Sequence, residues 1–173
     1  MNDLISNILR GSVSAVLYVV LLVTLTKARF GRTSTIVVTT FVFVIGIGST
    51  IWFYVYGDLT ALSRFTVVLF IVVGLVLKTM TKLNFMQWCF TFLTSLNIGM
   101  MIIILSFHLG RLFPEPQYAN TILRLVLYLI VIFLFRRFLL PSYQSAVDNW
   151  PIFSALILCI FVSLSYYFSM FTT

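Results

Sequence analysis

Charge is what this chain has least of. Only 9% of its 173 residues are Asp, Glu, Lys or Arg, against about 25% in an ordinary globular domain. Its four acids, Asp3, Asp58, Glu115 and Asp148, are scattered over the N-terminus and three loops. That spread leaves no carboxylate pair within one element for general acid–base work. A single histidine, His108, excludes a multi-His metal site within the chain. The two cysteines, Cys89 and Cys159, sit in separate apolar runs with no CxxC partner, so metal and redox chemistry are not expected and both read as buried structural thiols. HExxH, GxSxG and P-loop patterns are missing. The expectation is a chain that is not an enzyme and needs no cofactor.

What fills the space is apolar. Hydrophobic residues make up 61% of the sequence, concentrated in runs at 13–25, 36–56, 65–77, 85–107, 122–135 and 152–168. A membrane-crossing helix needs about 20 mostly apolar residues, whereas a barrel strand needs about 10 of alternating polarity. These runs are long and do not alternate. The expected fold class is therefore all-α: a polytopic membrane protein, a single domain over 1–173, with helices near 11–26, 34–56, 62–80, 85–107, 119–137 and 151–170. No repeat, linker or second domain interrupts it. A lead-in turn at 3–10 places Leu4, Ile5, Ile8 and Leu9 on one side, as an interfacial segment would.

Basic residues set an orientation. Lys27, Arg29, Arg32, Lys78, Lys82, Arg136 and Arg137 fall on one side of the alternating helices, and Arg10, Arg64, Arg111 and Arg124 on the other. The positive-inside rule places the richer side in the cytoplasm and the N-terminus outside. The net charge of +7 thus reflects topology and affinity for anionic lipid, and nucleic acid is not an expected partner. Trp52, Tyr54, Tyr56, Trp88, Tyr118 and Trp150 lie near the proposed boundaries, as an aromatic belt would. Pro141-Ser142-Tyr143 is expected to break the fifth helix before a short interfacial stretch.

Three groups of polar or small residues stand out. Asn97 sits near the middle of the fourth run among Thr91, Thr94, Ser95 and Gly99, and reads as interhelical glue or as the lining of a ligand path. Gly46 and Thr50 form a small-xxx-small face, with Gly11 and Ala15 as another; tight packing or a homodimer seam would use them. His108, Arg111, Glu115 and Arg124 collect at the outer side. A charge at membrane depth is costly, so Arg124 should snorkel or pair, with Glu115 as the candidate partner. His108, as a histidine, belongs to the residue type suited to sensing pH.

The stretch from Arg124 to Phe168 carries a resemblance. An apolar helix ends in Phe135-Arg136-Arg137-Phe138, a short joint closes on Asn149-Trp150, and an apolar helix follows to Tyr166-Tyr167-Phe168. This resembles the N-terminal membrane sensor region of Firmicutes sensor histidine kinases with a GHKL-type ATPase domain. The resemblance implies a domain that recognises an extracellular signal and passes a helix movement to a cytoplasmic kinase domain. It also implies a seventh helix beyond Thr173, because the sixth is expected to end outside. The phosphoacceptor helix and ATP-binding boxes of that family are not among these residues, so no catalytic residue is carried over. On this reading the signal meets the outer ends of helices two to five, with Trp52, Tyr56, His108, Arg111 and Arg124 as contact residues. The expected partners are the bilayer of a bacterial plasma membrane, an extracellular ligand and a second copy of the chain.

Two other functions fit the same features. Six helices in under 200 residues resemble the substrate-capturing component of energy-coupling-factor vitamin transporters, where the Gly11–Ala15 face would dock a partner helix. An accessory subunit packed into a larger membrane complex is the third.

Overall fold

The computed structural model describes residues 2–26, 29–56 and 59–172, with some side chains inside these ranges left out. The long apolar runs are all helical: α1 (Asn2–Leu25), α2 (Arg32–Tyr56), α3 (Leu59–Thr79), α4 (Phe85–Gly110), α5 (Pro116–Leu134) and α7 (Trp150–Thr172), with the short α6 (Leu140–Asp148) between the last two. No strand occurs among the described residues. Four segments are long and apolar enough to cross a membrane: Ile5–Leu25, Thr33–Phe53, Phe85–Gly110 and Trp150–Met170.

The helix ends follow local chemistry. Before α4, the backbone N–H of Asn84 donates to Gln87 Oε1 at 3.2 Å, a reach-back that satisfies one of the orphan donors of a helix start. Pro116 opens α5, a position where its missing N–H costs nothing. Between α4 and α5 the chain turns tightly because Gly110 has no side chain. A Cβ there would lie 3.2 Å from Asn120 Cβ and from the Pro116 carbonyl oxygen. At the opposite end, Arg29 N–H donates to Met80 O at 2.7 Å and joins the α1–α2 and α3–α4 connections.

Three helices make the core. Leu17, Leu21 and Leu25 of α1 pack with Phe90 and Ile102 of α4 and with Tyr128 and Ile132 of α5, and α6 closes this cluster with Tyr143 and Val147. A second cluster brings Tyr18, Val19 and Leu22 of α1 against Leu77 of α3 and Trp88 of α4. On one flank the α2–α3 hairpin leans on α1 and α4; on the other, α7 runs along α4.

Several expectations are corrected. The first helix begins at Asn2, so residues 3–10 are its opening turns and not a separate lead-in. Trp88, expected at a boundary, is buried in the second cluster. Cys89 and Cys159, expected buried, are both exposed on the helix surface. Pro141 does not break the chain. Without an N–H it cannot donate to the carbonyl four residues back, and the helix widens instead into a π-helical turn over Phe135–Leu139. There Leu140 N–H reaches Phe135 O, and α6 continues directly.

Small residues behave less uniformly than their pattern implies. At Gly46 a Cβ would meet only Leu69 Cδ2, at 4.0 Å, and at Gly11 nothing within 4 Å. Neither is a site of tight packing, and the Thr50 side chain lies outside the described residues. The close approach is at Gly99, where a Cβ would stand 3.2 Å from the Tyr128 hydroxyl and 3.5 Å from Tyr18 Cδ2.

Candidate functional site

Polar residues gather along one face of α4 and are answered from the helices around it. Ser95 gives its hydroxyl proton to Phe92 O at 2.7 Å, so the Tyr18 hydroxyl at 2.9 Å is the donor between them. Asn97 Nδ2 donates to Ile157 O on α7 at 3.0 Å, while its Oδ1 is buried without a partner. Asn97 therefore does join helices. Near α6, the Tyr143 hydroxyl lies beside Thr91 and Thr94 but completes a hydrogen bond with neither.

The densest group lies where α1 begins, α4 ends and α5 begins. Arg124 is only 7% exposed. Its Nη1 donates to Ser14 Oγ on α1 at 2.8 Å, its Nε to Ser106 Oγ on α4 at 3.4 Å, and its Nη2 to Asn120 Oδ1 at 3.4 Å. Both serines can accept because each spends its own proton on the backbone. Ser14 donates to Arg10 O at 2.8 Å, and Ser106 to Ile103 O at 2.9 Å. Their lone pairs are thus turned toward the guanidinium.

The expected partner is not there. Glu115 is exposed at the head of α5 and accepts nothing from Arg124, whose three acceptors are all neutral. A like charge, Arg10, lines the same cavity and donates to Asn7 Oδ1 at 2.6 Å. A guanidinium carries five N–H donors; three are engaged here, two of them at long range. Burying an ion costs several kcal/mol unless an opposite charge or full hydrogen bonding offsets it. This one is incompletely offset by the protein.

Beside Arg124 is a cavity of about 390 Å³, within the ~300–1,000 Å³ span of small-molecule pockets. Arg10, His108, Asn120 and Arg124 supply its polar wall, and Ile103, Ile104, Phe107 and Phe168 its apolar wall. Phe107 and Phe168 are partly exposed, so the cavity reaches the molecular surface. His108 Nε2 lies 2.8 Å from the Tyr167 hydroxyl, which ties the end of α7 to the end of α4 across the cavity wall. Among the described residues no Asp or Glu lines it, and no group of three or more His, Cys, Asp or Glu residues could hold a metal ion.

The structure brings two of the five expected contact residues together, His108 and Arg124. Arg111 is exposed and does not line the cavity, its guanidinium carbon lying 4.6 Å from the centroid of the Phe107 ring, which does. Trp52 and Tyr56 lie on α2, 64% and 75% exposed, with ring centroids 5.0 Å apart; neither lines the cavity. Arg10, Asn120 and Tyr167 line it without having been singled out as contacts. Arg10 carried a usable signal: it is a basic residue inside the first apolar helix, on the side where basic residues are few. Comparison with protein-family models, with curated proteins and with solved structures finds no match for this chain.

Proposed function

We propose that the chain is the signal-sensing domain of a bacterial plasma-membrane protein, with six crossings and its N-terminus outside. Its role is to pass ligand occupancy to a cytoplasmic kinase domain lying outside these 173 residues. Arg124, buried beside a cavity and answered among the described residues only by neutral groups, supports this reading. An ionisable side chain at membrane depth is expensive to keep and marks a functional site by default. With Lys27, Arg29, Arg32, Lys78, Lys82, Arg136 and Arg137 inside, the cavity faces outward, where an external signal arrives. The His108–Tyr167 contact puts the end of α7 in the cavity wall, so a ligand there bears directly on that helix.

The test is made in cells lacking the natural gene and complemented with wild type, Arg124→Gln or His108→Ala, at equal membrane levels. Loss of the gene's transcriptional response in both variants, with no change in uptake of any medium component, is the expected result. Full complementation by both would remove the cavity from the function. Loss of solute uptake instead would favour the substrate-capture alternative.

A further inference from the structure

We infer that the cavity receives an amphipathic anion, a molecule with one carboxylate or phosphate head and an apolar body. This rests on reading the cavity as a receiving site, and it names the chemistry that the walls would recognise. On the polar side, two guanidiniums, Arg10 and Arg124, line the same space, and no carboxylate lines it among the described residues. Each Nη of Arg124 has one N–H beyond the bonds to Ser14 and Asn120. A planar guanidinium matches the two oxygens of a carboxylate or phosphate in forked geometry. An anion head there would offset the repulsion of a like-charge pair and complete Arg124's donor set at once. A cationic head would add a third positive charge, and a neutral one would leave the pair uncompensated.

The apolar part of the lining asks for hydrocarbon. Ile103 and Ile104 of α4, with Phe107 and Phe168, offer an apolar surface that a small inorganic anion would leave uncovered. Because Phe107 and Phe168 are partly exposed, the tail has a way out along the helix surface. A free fatty-acid-like signal and the headgroup of an anionic lipid share this chemistry.

The experiment uses the full chain purified in a neutral detergent and in nanodiscs of phosphatidylcholine. Decanoate, decanol and phosphatidylglycerol are the probes; decanol keeps the tail and discards the charge. Decanoate should bind about ten- to a hundredfold more tightly than decanol, the worth of a hydrogen bond to a charged group. Arg124→Gln should cut the preference for decanoate to severalfold, the share left to Arg10, since the bond to Arg124 is then gone. If the variant fails to fold, Arg10→Gln serves, because it leaves the three Arg124 bonds intact and should still weaken decanoate severalfold. Retention of phosphatidylglycerol by wild type, undisplaced by decanoate and lost in either variant, would assign the same site to lipid. Equal binding of decanol and decanoate, with phosphatidylglycerol insensitive to both substitutions, would overturn the proposal. In that event the cellular result with Arg124→Gln still decides the sensing role separately, for a ligand of other chemistry.

Discussion

Helices α2 and α7 both lie against the outside of the α1/α4/α5 core, and neither has a buried residue among those described. They are held there by different means. Two hydroxyls of α2 turn back on the backbone of their own segment: Thr35 donates to Gly31 O at 3.3 Å and Ser49 to Ile45 O at 2.7 Å. Among the described residues the helices on this side meet through apolar contact, as where Phe92 of α4 closes over Gly74 of α3, while the Arg29–Met80 backbone bond joins the connections and not the helices. By contrast, α7 is tied to α4 twice, by Asn97 to Ile157 O and by His108 to Tyr167. Apolar contact holds two helices together without choosing one sliding position over the next. A side-chain bond to a particular carbonyl or hydroxyl chooses one. The difference marks α7 as the flank whose position is specified, and its specifying contact at the outer end is also the cavity wall.

The comparison is broken most strongly on the apolar side. Phe92→Ala removes the ring that fills the space over Gly74 and should lower stability by about 2 kcal/mol, below the range for a fully buried Phe. Thermal unfolding of the purified chain would register it. Cross-linking between α4 and α7 should stay unchanged while that between α3 and α4 falls. Loss of both together would mean the two flanks are not independent.

On the polar side the sign reverses. Arg124→Met should raise stability by about 1 kcal/mol, because a buried ion without an opposite charge gives way to a side chain of similar length. Ser14 and Ser106 keep their backbone bonds when it goes. A rise in melting temperature with loss of the cellular response would be the signature of a residue kept for function at the expense of stability. A large fall would show that the guanidinium mainly holds α1, α4 and α5 together.

The smallest effect is expected at Tyr167→Phe, which deletes one hydroxyl facing His108. Stability should drop by about 0.6 kcal/mol, the average for a polar contact between membrane helices. A spin-label distance from α7 to α4 should nonetheless broaden, since the specifying contact at that end is lost. An unchanged distance would show that the His108–Tyr167 contact does not set α7's position.

Much of the fold was legible because long apolar runs translate directly into helices. The boundaries were less so at α1, where Asn2, Asp3, Ser6 and Asn7 dilute the hydropathy of turns that are helical all the same. Asn97 and Arg124 were legible as polar residues in apolar surroundings, each needing a partner. Which partner was not. Glu115 is close in sequence and opposite in charge, yet Ser14, 110 residues away, is the one that meets Arg124. Helix rotation hides such pairings: Trp52 and Tyr56 share the cavity's end of the bundle but sit on a helix that faces elsewhere. The cysteines teach the same lesson in reverse, since an apolar run says that a residue is helical without saying which way it points.

The π-helical turn at Phe135–Leu139 works as a phase adapter. It takes up one extra residue within a single turn, about 100° of helix phase at 3.6 residues per turn. Upstream of it, Tyr128 and Ile132 point into the core; downstream, Tyr143 and Val147 do so again, with Arg136 and Arg137 left outside. Because the wide turn absorbs the extra residue, the helix on either side keeps its course. Removing one residue from 135–139 should therefore leave a regular helix with α6's apolar face still on the bundle. This segment tolerates a change of length that a regular helix would pass on as a rotation.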